Sequence, residues 1–191
     1  KGKTTTANLL ADILNKSGMK CGLTSSVYFG VGNGLERNET KHGMPGRFML
    51  QKLLARMARE SCRYAVVETT SEGMLQYRHT FIDYSMAVFT NLSPEHIERH
   101  GGFEKYRSVK VGLFQKLSRK KDGIGVYNLD ERNVEYFLKP KVARKIGFTL
   151  RDNFQFSIFN FQSIFNVTNI QLQTDGCEFN IEGTHFQMPL V

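Results

Sequence analysis

The sequence predicts an α/β fold: a mostly parallel sheet of the P-loop type with helices on both faces, followed by a small C-terminal antiparallel β subdomain. Three observations predict it. Short apolar segments alternate with amphipathic segments over residues 1–150, which favours a parallel sheet covered by helices. A Gly-Lys-Thr sequence opens the first of those helices. Residues 151–191 are rich in aromatic and β-branched residues around an Asp-Gly pair, which is typical of antiparallel hairpins.

The individual elements follow from hydrophobic periodicity and from the turn residues between periodic segments. In the core, residues 1–150, we predict in chain order a helix ended by Gly18, a strand over Cys21–Val27, a long loop over Tyr28–Gly46, a helix around Phe48–Met57, strands over Tyr64–Glu68 and Met86–Thr90, a helix over Glu104–Leu117, a strand over Gly123–Tyr127, a helix over Glu131–Leu138 and a strand over Lys145–Thr149. In the extension, residues 151–191, we predict strands over Ile170–Thr174, Glu178–Ile181 and His185–Val191, the first two flanking an Asp175-Gly176 turn.

Composition excludes several classes of protein. Hydrophobic residues make up 40% and charged residues 23% of the 191 residues, which are ordinary values for a globular chain. No apolar run approaches the ~20 residues of a membrane-spanning helix, and we expect no charged-then-apolar secretory leader. The three cysteines have no metal-like spacing and are expected to be reduced thiols. We therefore expect a cytoplasmic protein with no membrane partner.

The positive charge is concentrated in the core. The net charge is +8, and residues 1–150 hold 25 basic against 14 acidic residues, a local excess of +11. This excess favours anionic partners such as nucleotide phosphates. Nucleic acid is not expected, because the basic residues are scattered and the densest run, Arg119–Lys121, fits a solvated helix end.

The opening Gly2-Lys3-Thr4 matches the second half of a P-loop, G-x-x-x-x-G-K-[ST]. In a complete loop, backbone N–H groups bind phosphates, the lysine reaches the β and γ oxygens, and the hydroxyl holds Mg²⁺. The same tripeptide is also consistent with the start of an ordinary helix. Because the first half of the motif is missing, we expect the chain to be a fragment.

Three further features are ambiguous when each is taken alone. Glu68 ends a strand, where open α/β sheets bind ligands and where a carboxylate suits Mg²⁺, but a solvated acid fits as well. His96 and His100 would share a helix face, and without a third ligand they favour helix capping over a zinc site. Lys110 fits an exposed lysine on an amphipathic helix.

Together, the order and spacing of these features resemble the central ATP-binding domain of the Mur ligase family. The similar segments are the opening KGKTTT, Glu68–His79, Ala87–Phe114, Val126–Glu131 and the late hairpins, so the resemblance covers nearly the whole chain. It implies an ATP-dependent ligase that forms an amide between the terminal carboxylate of a UDP-MurNAc-peptide and an amino acid, through an acyl phosphate, in peptidoglycan precursor synthesis. The Gln-Tyr-Arg sequence at 76–78 resembles the branch of the family that adds the third amino acid.

The resemblance also implies roles for particular residues. The cofactors would be ATP and Mg²⁺, and ATP would contact Lys1, Gly2, Lys3, Thr4 and Thr5. The Mg²⁺ ligands would be Thr4, Glu68, His96 and Lys110. Lys110 would be carbamylated by CO₂, because an ammonium cannot ligate a cation and a carbamate can. The catalytic residues would be Lys3, Glu68, His96 and Lys110, and the UDP-sugar-peptide would be held by Thr70, Gln76 and Arg78.

The chain departs from the family pattern at two places. Thr70, Ser71 and Glu72 stand where the family has Ser-Ser-His, and Gly43-Met44-Pro45 stands where it has a Thr-Thr-Pro-like element that contacts substrate. We expect the family's N-terminal uridine-binding and C-terminal domains to be absent from this chain. We also expect a monomer, and no ligase activity from the fragment alone.

Three alternatives remain open from the sequence. The first is folylpolyglutamate synthetase or another Mur-like amide ligase. The second is a P-loop ATPase of the chromosome-partitioning type, whose loops also run into Gly-Lys-Thr-Thr-Thr. The third is a nucleotide-binding module without activity.

Overall fold

The structure is a computed structural model that describes residues 1–32, 34–40, 42–93, 97–151 and 159–189. Helices and strands alternate along much of this part of the chain. In order they are α1 (Lys3–Lys16), β1 (Cys21–Thr24), β2 (Tyr28–Val31), β3 (Gly34–Arg37), α2 (Arg47–Arg59), β4 (Tyr64–Val67), α3 (Ser71–Leu75), β5 (Met86–Phe89), α4 (Ile97–His100), α5 (Phe103–Leu117), β6 (Ile124–Asn128), α6 (Val134–Leu138), β7 (Arg144–Thr149), β8 (Ser163–Leu172), β9 (Gly176–Ile181) and β10 (Thr184–Pro189).

The chain forms two compact units. The first comprises Lys1–Asp83 and Ser93–Lys110, and the second comprises Tyr84–Leu92 and Val111–Val191. Each unit contains one sheet. The division into a core and an extension at residue 150 stays a prediction.

The sheet of the first unit has the strand order β3-β2-β1-β4. Its central strand β1 runs parallel to β4 and antiparallel to β2. Alternate side chains of a strand point to opposite faces, so Cys21 and Leu23 share one face, where they pack with residues of α1. Gly22 points to the other face, where a Cβ would lie 2.4 Å from Met57 Cγ of α2. Helices therefore cover both faces of β1, as predicted.

The predicted long loop over Tyr28–Gly46 is wrong in its first half, which forms the β2–β3 hairpin. Glycine makes the hairpin possible. Gly30 has a φ of 150°, and a Cβ there would lie 2.3 Å from the Gly34 carbonyl oxygen. Gly32, with a φ of 57°, begins the turn. The predicted strand over Cys21–Val27 likewise ends earlier, at Thr24, because the Ser25 N–H donates to the Tyr28 carbonyl at 2.7 Å and turns the chain.

In the second unit, four parallel strands continue into an antiparallel ribbon. The order is β10-β9-β8-β7-β6-β5, with β5 to β8 parallel and β8 to β10 antiparallel. Aromatic rings fill the interior of this unit. The ring centres of Phe89 and Phe137 are stacked 3.8 Å apart, and those of Phe114 and Tyr127 are 5.1 Å apart. The predicted hairpin at the Asp-Gly pair and the third strand are present, while residues 190–191 lie outside the described residues.

The predicted fold class is thus confirmed. Besides the β2–β3 hairpin, the sequence analysis did not predict the two short helices α3 and α4. None of the helices in the described ranges is long and apolar enough to cross a membrane.

Candidate nucleotide and metal site

The Gly-Lys-Thr sequence begins helix α1, as predicted. Gly2 is the N-cap residue with a φ of 74°, a left-handed conformation that glycine adopts at little cost, and no side chain caps the helix. The first N–H groups of a helix have no intrahelical partner and carry partial positive charge, so they favour an anion. The first turn holds no acidic residue, and Lys3 and Thr4 are half-buried there.

Glu68 follows strand β4 and lies against this helix. Its side chain is only 5% exposed, and its Oε1 accepts a hydrogen bond from Thr4 Oγ1 at 3.1 Å. These two residues are 64 positions apart in sequence, and the fold brings them together. The Glu68 N–H donates to the Thr24 carbonyl at 2.8 Å, which fixes the end of β4 beside β1.

Ser26 also hydrogen-bonds to the Glu68 carboxylate. The sequence analysis did not identify Ser26 as a site residue. Its N–H donates to Glu68 Oε2 at 2.8 Å, and its hydroxyl lies 2.9 and 3.0 Å from the two carboxylate oxygens. Its position after β1, the strand parallel to β4, is the signal that could have found it, because the carboxyl ends of neighbouring parallel strands converge.

The side-chain oxygens of Thr4 and Glu68 are suitable ligands for a hard cation. Burying an ionised carboxylate is costly unless it is hydrogen-bonded or paired. Here two hydroxyls and one N–H satisfy it, and no basic side chain within the described ranges pairs with it. Carboxylate and hydroxyl oxygens are the ligands that Mg²⁺ accepts. Thr4 and Glu68 therefore fit a Mg²⁺ site, and Ser26 holds the carboxylate in place.

The loop between β3 and α2 packs directly against this cluster. A Cβ at Gly43 would lie 2.7 Å from Thr70 Cγ2 and 3.0 Å from Ser26 Oγ. Asn38 braces the loop, since its side-chain amide donates to the Ser25 carbonyl at 2.8 Å and the His42 carbonyl at 3.0 Å. The loop thus forms one wall of the site through its backbone.

The three candidate substrate residues lie around helix α3. Thr70 is its N-cap, and its hydroxyl accepts from the Gly73 N–H at 3.0 Å. The Arg78 guanidinium donates to the Gln76 side-chain oxygen, at 2.9 Å from Nε, and to the Met44 carbonyl. The structure therefore brings Gln76 and Arg78 together and gives Thr70 a helix-capping role.

Lys110 lies on α5, where its ammonium is 4.6 Å from the centre of the Tyr106 ring. The Tyr106 hydroxyl donates to the Ser93 carbonyl at 3.0 Å, and buried His100 meets the ring edge-on at 5.0 Å. His96 lies outside the described residues. Among the residues that are described, no group of three or more His, Cys, Asp or Glu side chains is arranged to hold a metal.

A helix that begins with Gly-Lys-Thr, beside a buried strand-end carboxylate, is typical of P-loop α/β proteins, the class that binds nucleotides. The family described as Mur ligase middle domain matches residues 1–191. The chain belongs to the Mur ligase family.

Individual relatives agree with this assignment. A UDP-N-acetylmuramyl-tripeptide synthetase from Borreliella afzelii is 34% identical over 181 residues, which cover 93% of this chain and 34% of the relative. A UDP-N-acetylmuramoyl-L-alanyl-D-glutamate–2,6-diaminopimelate ligase from Syntrophomonas wolfei is 31% identical over 156 residues, covering 81% of this chain and 32% of the relative. A solved 2,6-diaminopimelate ligase structure superposes with a TM-score of 0.79 at 25% identity, covering 98% of this chain and 37% of that one. The chain spans about a third of the length of these proteins.

Proposed function

We propose that this chain is the ATP-binding part of a cytoplasmic, monomeric ligase that joins the terminal carboxylate of a UDP-MurNAc-peptide to an amino acid. The observation that carries the proposal is the contact between Thr4 of the P-loop helix and the buried Glu68 carboxylate. The names of the relatives support the substrate class. We also propose that the whole protein has a uridine-binding domain before this chain and a further domain after it, because the relatives are about three times as long.

The reaction needs phosphoryl transfer followed by acyl transfer. The substrate carboxylate attacks the γ-phosphorus of ATP, and ADP leaves. The amine then attacks the carbonyl carbon of the acyl phosphate, phosphate leaves, and the nitrogen loses a proton. The N–H groups at the start of α1 and the Lys3 ammonium orient the phosphates, and Thr4 and Glu68 would hold Mg²⁺. Mg²⁺ there supplies positive charge that offsets the charge of the transferring phosphoryl group.

Lys110 and His96 would hold a second Mg²⁺ in this proposal. The neutral Lys110 amine adds to CO₂, so that an N–C bond forms and one proton passes to solvent. The carbamate that results presents two anionic oxygens, as a long glutamate would. What supports this assignment is the family membership of the chain and the position of Lys110 within the α5 segment.

The first test measures ADP release by the full-length protein that carries this chain. We expect release to require both a UDP-MurNAc-dipeptide and an amino acid. Glu68→Gln should lower the rate by about a hundredfold or more, because the cation site loses its charge. The control is Glu135→Gln, on the exposed side of α6, which should retain activity. ATP hydrolysis that is indifferent to both substrates would contradict the proposal and favour an ATPase.

The second test concerns Lys110. Lys110→Ala should abolish ligation while the fold persists, and acetate or formate should restore some activity by returning two oxygens to the site. Lys110→Arg should be inactive, because a guanidinium stays cationic and is not carbamylated. Lys105→Ala, an exposed position on the same helix, is the matched control. An active Lys110→Arg variant would refute the carbamate.

A further inference from the structure

We propose that Asn38 is a positioning residue for the cation site. In this view its side-chain amide orients the peptide group between Ser25 and Ser26, and that peptide group in turn holds the Glu68 carboxylate. The inference rests on the proposed function, because it concerns the affinity of the Thr4–Glu68 site for a divalent cation. It gives Asn38 a role in that site beyond bracing the neighbouring loop.

Asn38 is a buried residue that follows strand β3. Its own N–H donates to the Val27 carbonyl at 2.7 Å. Its side-chain oxygen accepts from the Thr40 N–H at 3.0 Å and from the Thr40 hydroxyl at 2.6 Å. Because a backbone N–H can only donate, the amide oxygen must be the atom that faces Thr40. The two N–H groups of the amide therefore point the other way, towards two backbone carbonyls.

The first of these carbonyls belongs to the same planar peptide group as the Ser26 N–H. Asn38 donates to the Ser25 carbonyl at 2.8 Å, and the Ser26 N–H donates to Glu68 Oε2 at 2.8 Å. In a planar trans peptide the C=O and N–H point in opposite directions, so fixing one end fixes the direction of the other. The two hydrogen bonds also polarise the peptide group in the same sense, which strengthens the bond to the carboxylate.

The second N–H of the Asn38 amide acts on the other donor of Ser26. It donates to the His42 carbonyl at 3.0 Å. The next residue, Gly43, packs against the Ser26 hydroxyl, since a Cβ at Gly43 would lie 3.0 Å from Ser26 Oγ. That hydroxyl lies 2.9 and 3.0 Å from the two Glu68 oxygens. One side chain thus restrains both groups through which Ser26 holds the carboxylate.

Burial makes this restraint important for cation binding. Ser25 has no exposed surface and Glu68 is buried, so water has little access to replace either hydrogen bond. A carboxylate that is already held in one orientation loses less freedom when it binds a cation. Substitution of residues that support a metal ligand typically lowers metal affinity by about 10–100-fold. Because Asn38 acts through an intervening peptide group, we expect an effect of about tenfold, at the lower end of that range.

The first test measures the Kd of Mn²⁺ for the complex of the full-length protein with ADP, by electron paramagnetic resonance. Asn38→Ala should raise this Kd by about tenfold. The Kd of ADP measured without metal should change by less than about twofold, because the start of α1 that binds phosphates is unaltered. A loss of ADP affinity as large as the loss of Mn²⁺ affinity would show a general disturbance of the site and would overturn the inference.

Asn15→Ala is the matched control, at the opposite end of β1. The Asn15 amide also bridges two carbonyls, those of Ala11 at 2.9 Å and Cys21 at 3.4 Å, and its oxygen accepts from the Cys21 N–H at 2.9 Å. Both alanine variants should unfold at lower urea concentrations than the wild type, but only Asn38→Ala should weaken Mn²⁺ binding. Equal Kd values for Mn²⁺ in the two variants would contradict the proposal. Asn38→Ser, which keeps a hydroxyl donor, replaces Asn38→Ala if that variant does not fold, and it should raise the Kd several-fold.

A readout that needs no ligand separates this inference from the proposed function. The proton resonance of the Ser26 N–H, followed by NMR, should move upfield in Asn38→Ala, because the peptide group is less polarised, and should stay in place in Asn15→Ala. If the wild type binds no Mn²⁺ in the presence of ADP but shows this difference, the proposed function is wrong and the positioning stands. An unchanged Ser26 resonance in Asn38→Ala would refute the positioning.

Discussion

Ser26→Ala tests how the Glu68 carboxylate is supported. The substitution removes a hydroxyl that lies 2.9 and 3.0 Å from the carboxylate oxygens, and it leaves the Ser26 N–H and the Thr4 hydroxyl as donors. A hydrogen bond to a charged group contributes about 1.5–3 kcal/mol. Because Glu68 is 5% exposed, water has little access to replace the lost donor. We therefore expect the free energy of unfolding to fall by about 2 kcal/mol.

The assay is urea unfolding followed by circular dichroism, since the chain has no tryptophan to report by fluorescence. For a chain of this size, 2 kcal/mol corresponds to a fall in Tm of about 4–8 °C. The matched control is Ser17→Ala, whose exposed hydroxyl donates to the Ile13 carbonyl at 2.8 Å and should change stability by less than about 0.5 kcal/mol. If both alanine variants unfold alike, Ser26 does not support the carboxylate.

Three further predictions concern stability. Gly43→Ala should destabilise the protein by about 1–3 kcal/mol, because the new Cβ would overlap Thr70. The control is Gly46→Ala, whose Cβ would meet open space and should not destabilise the protein. Equal effects of the two substitutions in urea unfolding would contradict the packing of the loop. Tyr127→Phe should stabilise by about 1 kcal/mol, because the buried hydroxyl has no partner within the described ranges, and a loss of stability in urea would refute this. Burial raises the pKa of the Cys21 thiol to about 11. Between about pH 9 and pH 11 the thiol therefore ionises in the unfolded chain but not in the folded one, so the free energy of unfolding should fall as the pH rises through this range. Cys21→Ala should flatten that part of the plot of unfolding free energy against pH.

The contact between Thr4 and Glu68 shows what the sequence could predict. Each residue alone had an ordinary explanation, and the resemblance to a family connected them across 64 positions. The physical reason is that α1 packs against the sheet, where its Ala7 and Ala11 lie with residues of β1 and with Val66 of β4, so the start of the helix comes beside the end of β4. The long periodic helices were predicted within a few residues for a related reason, since burial of one face requires that spacing.

The missed features depend on contacts that no local pattern encodes. The β2–β3 hairpin is built on Gly30, whose strand conformation brings the backbone against Gly34, and glycine-rich sequence alone favours a loop equally well. Helix α3 has five residues, too few to show periodicity, and it is defined by the Thr70 cap and the left-handed Tyr77. Ser26 has no motif of its own and gains its role from the neighbouring strand.

The loop at Gly43-Met44-Pro45 departs from the family pattern and contacts its neighbours through the backbone. The loop has no hydroxyl where the family has a Thr-Thr-Pro-like element. Gly43 lets the backbone approach Ser26 and Thr70 more closely than any residue with a Cβ would allow. The next carbonyl, that of Met44, then accepts from Arg78. The position of the Met44 carbonyl depends on the path of the backbone and not on a side chain. A substitution at Gly43 that displaces the loop should therefore also disturb Arg78, which donates to that carbonyl. Substitution of Met44 that preserves its buried volume, such as Met44→Leu, should leave that carbonyl in place.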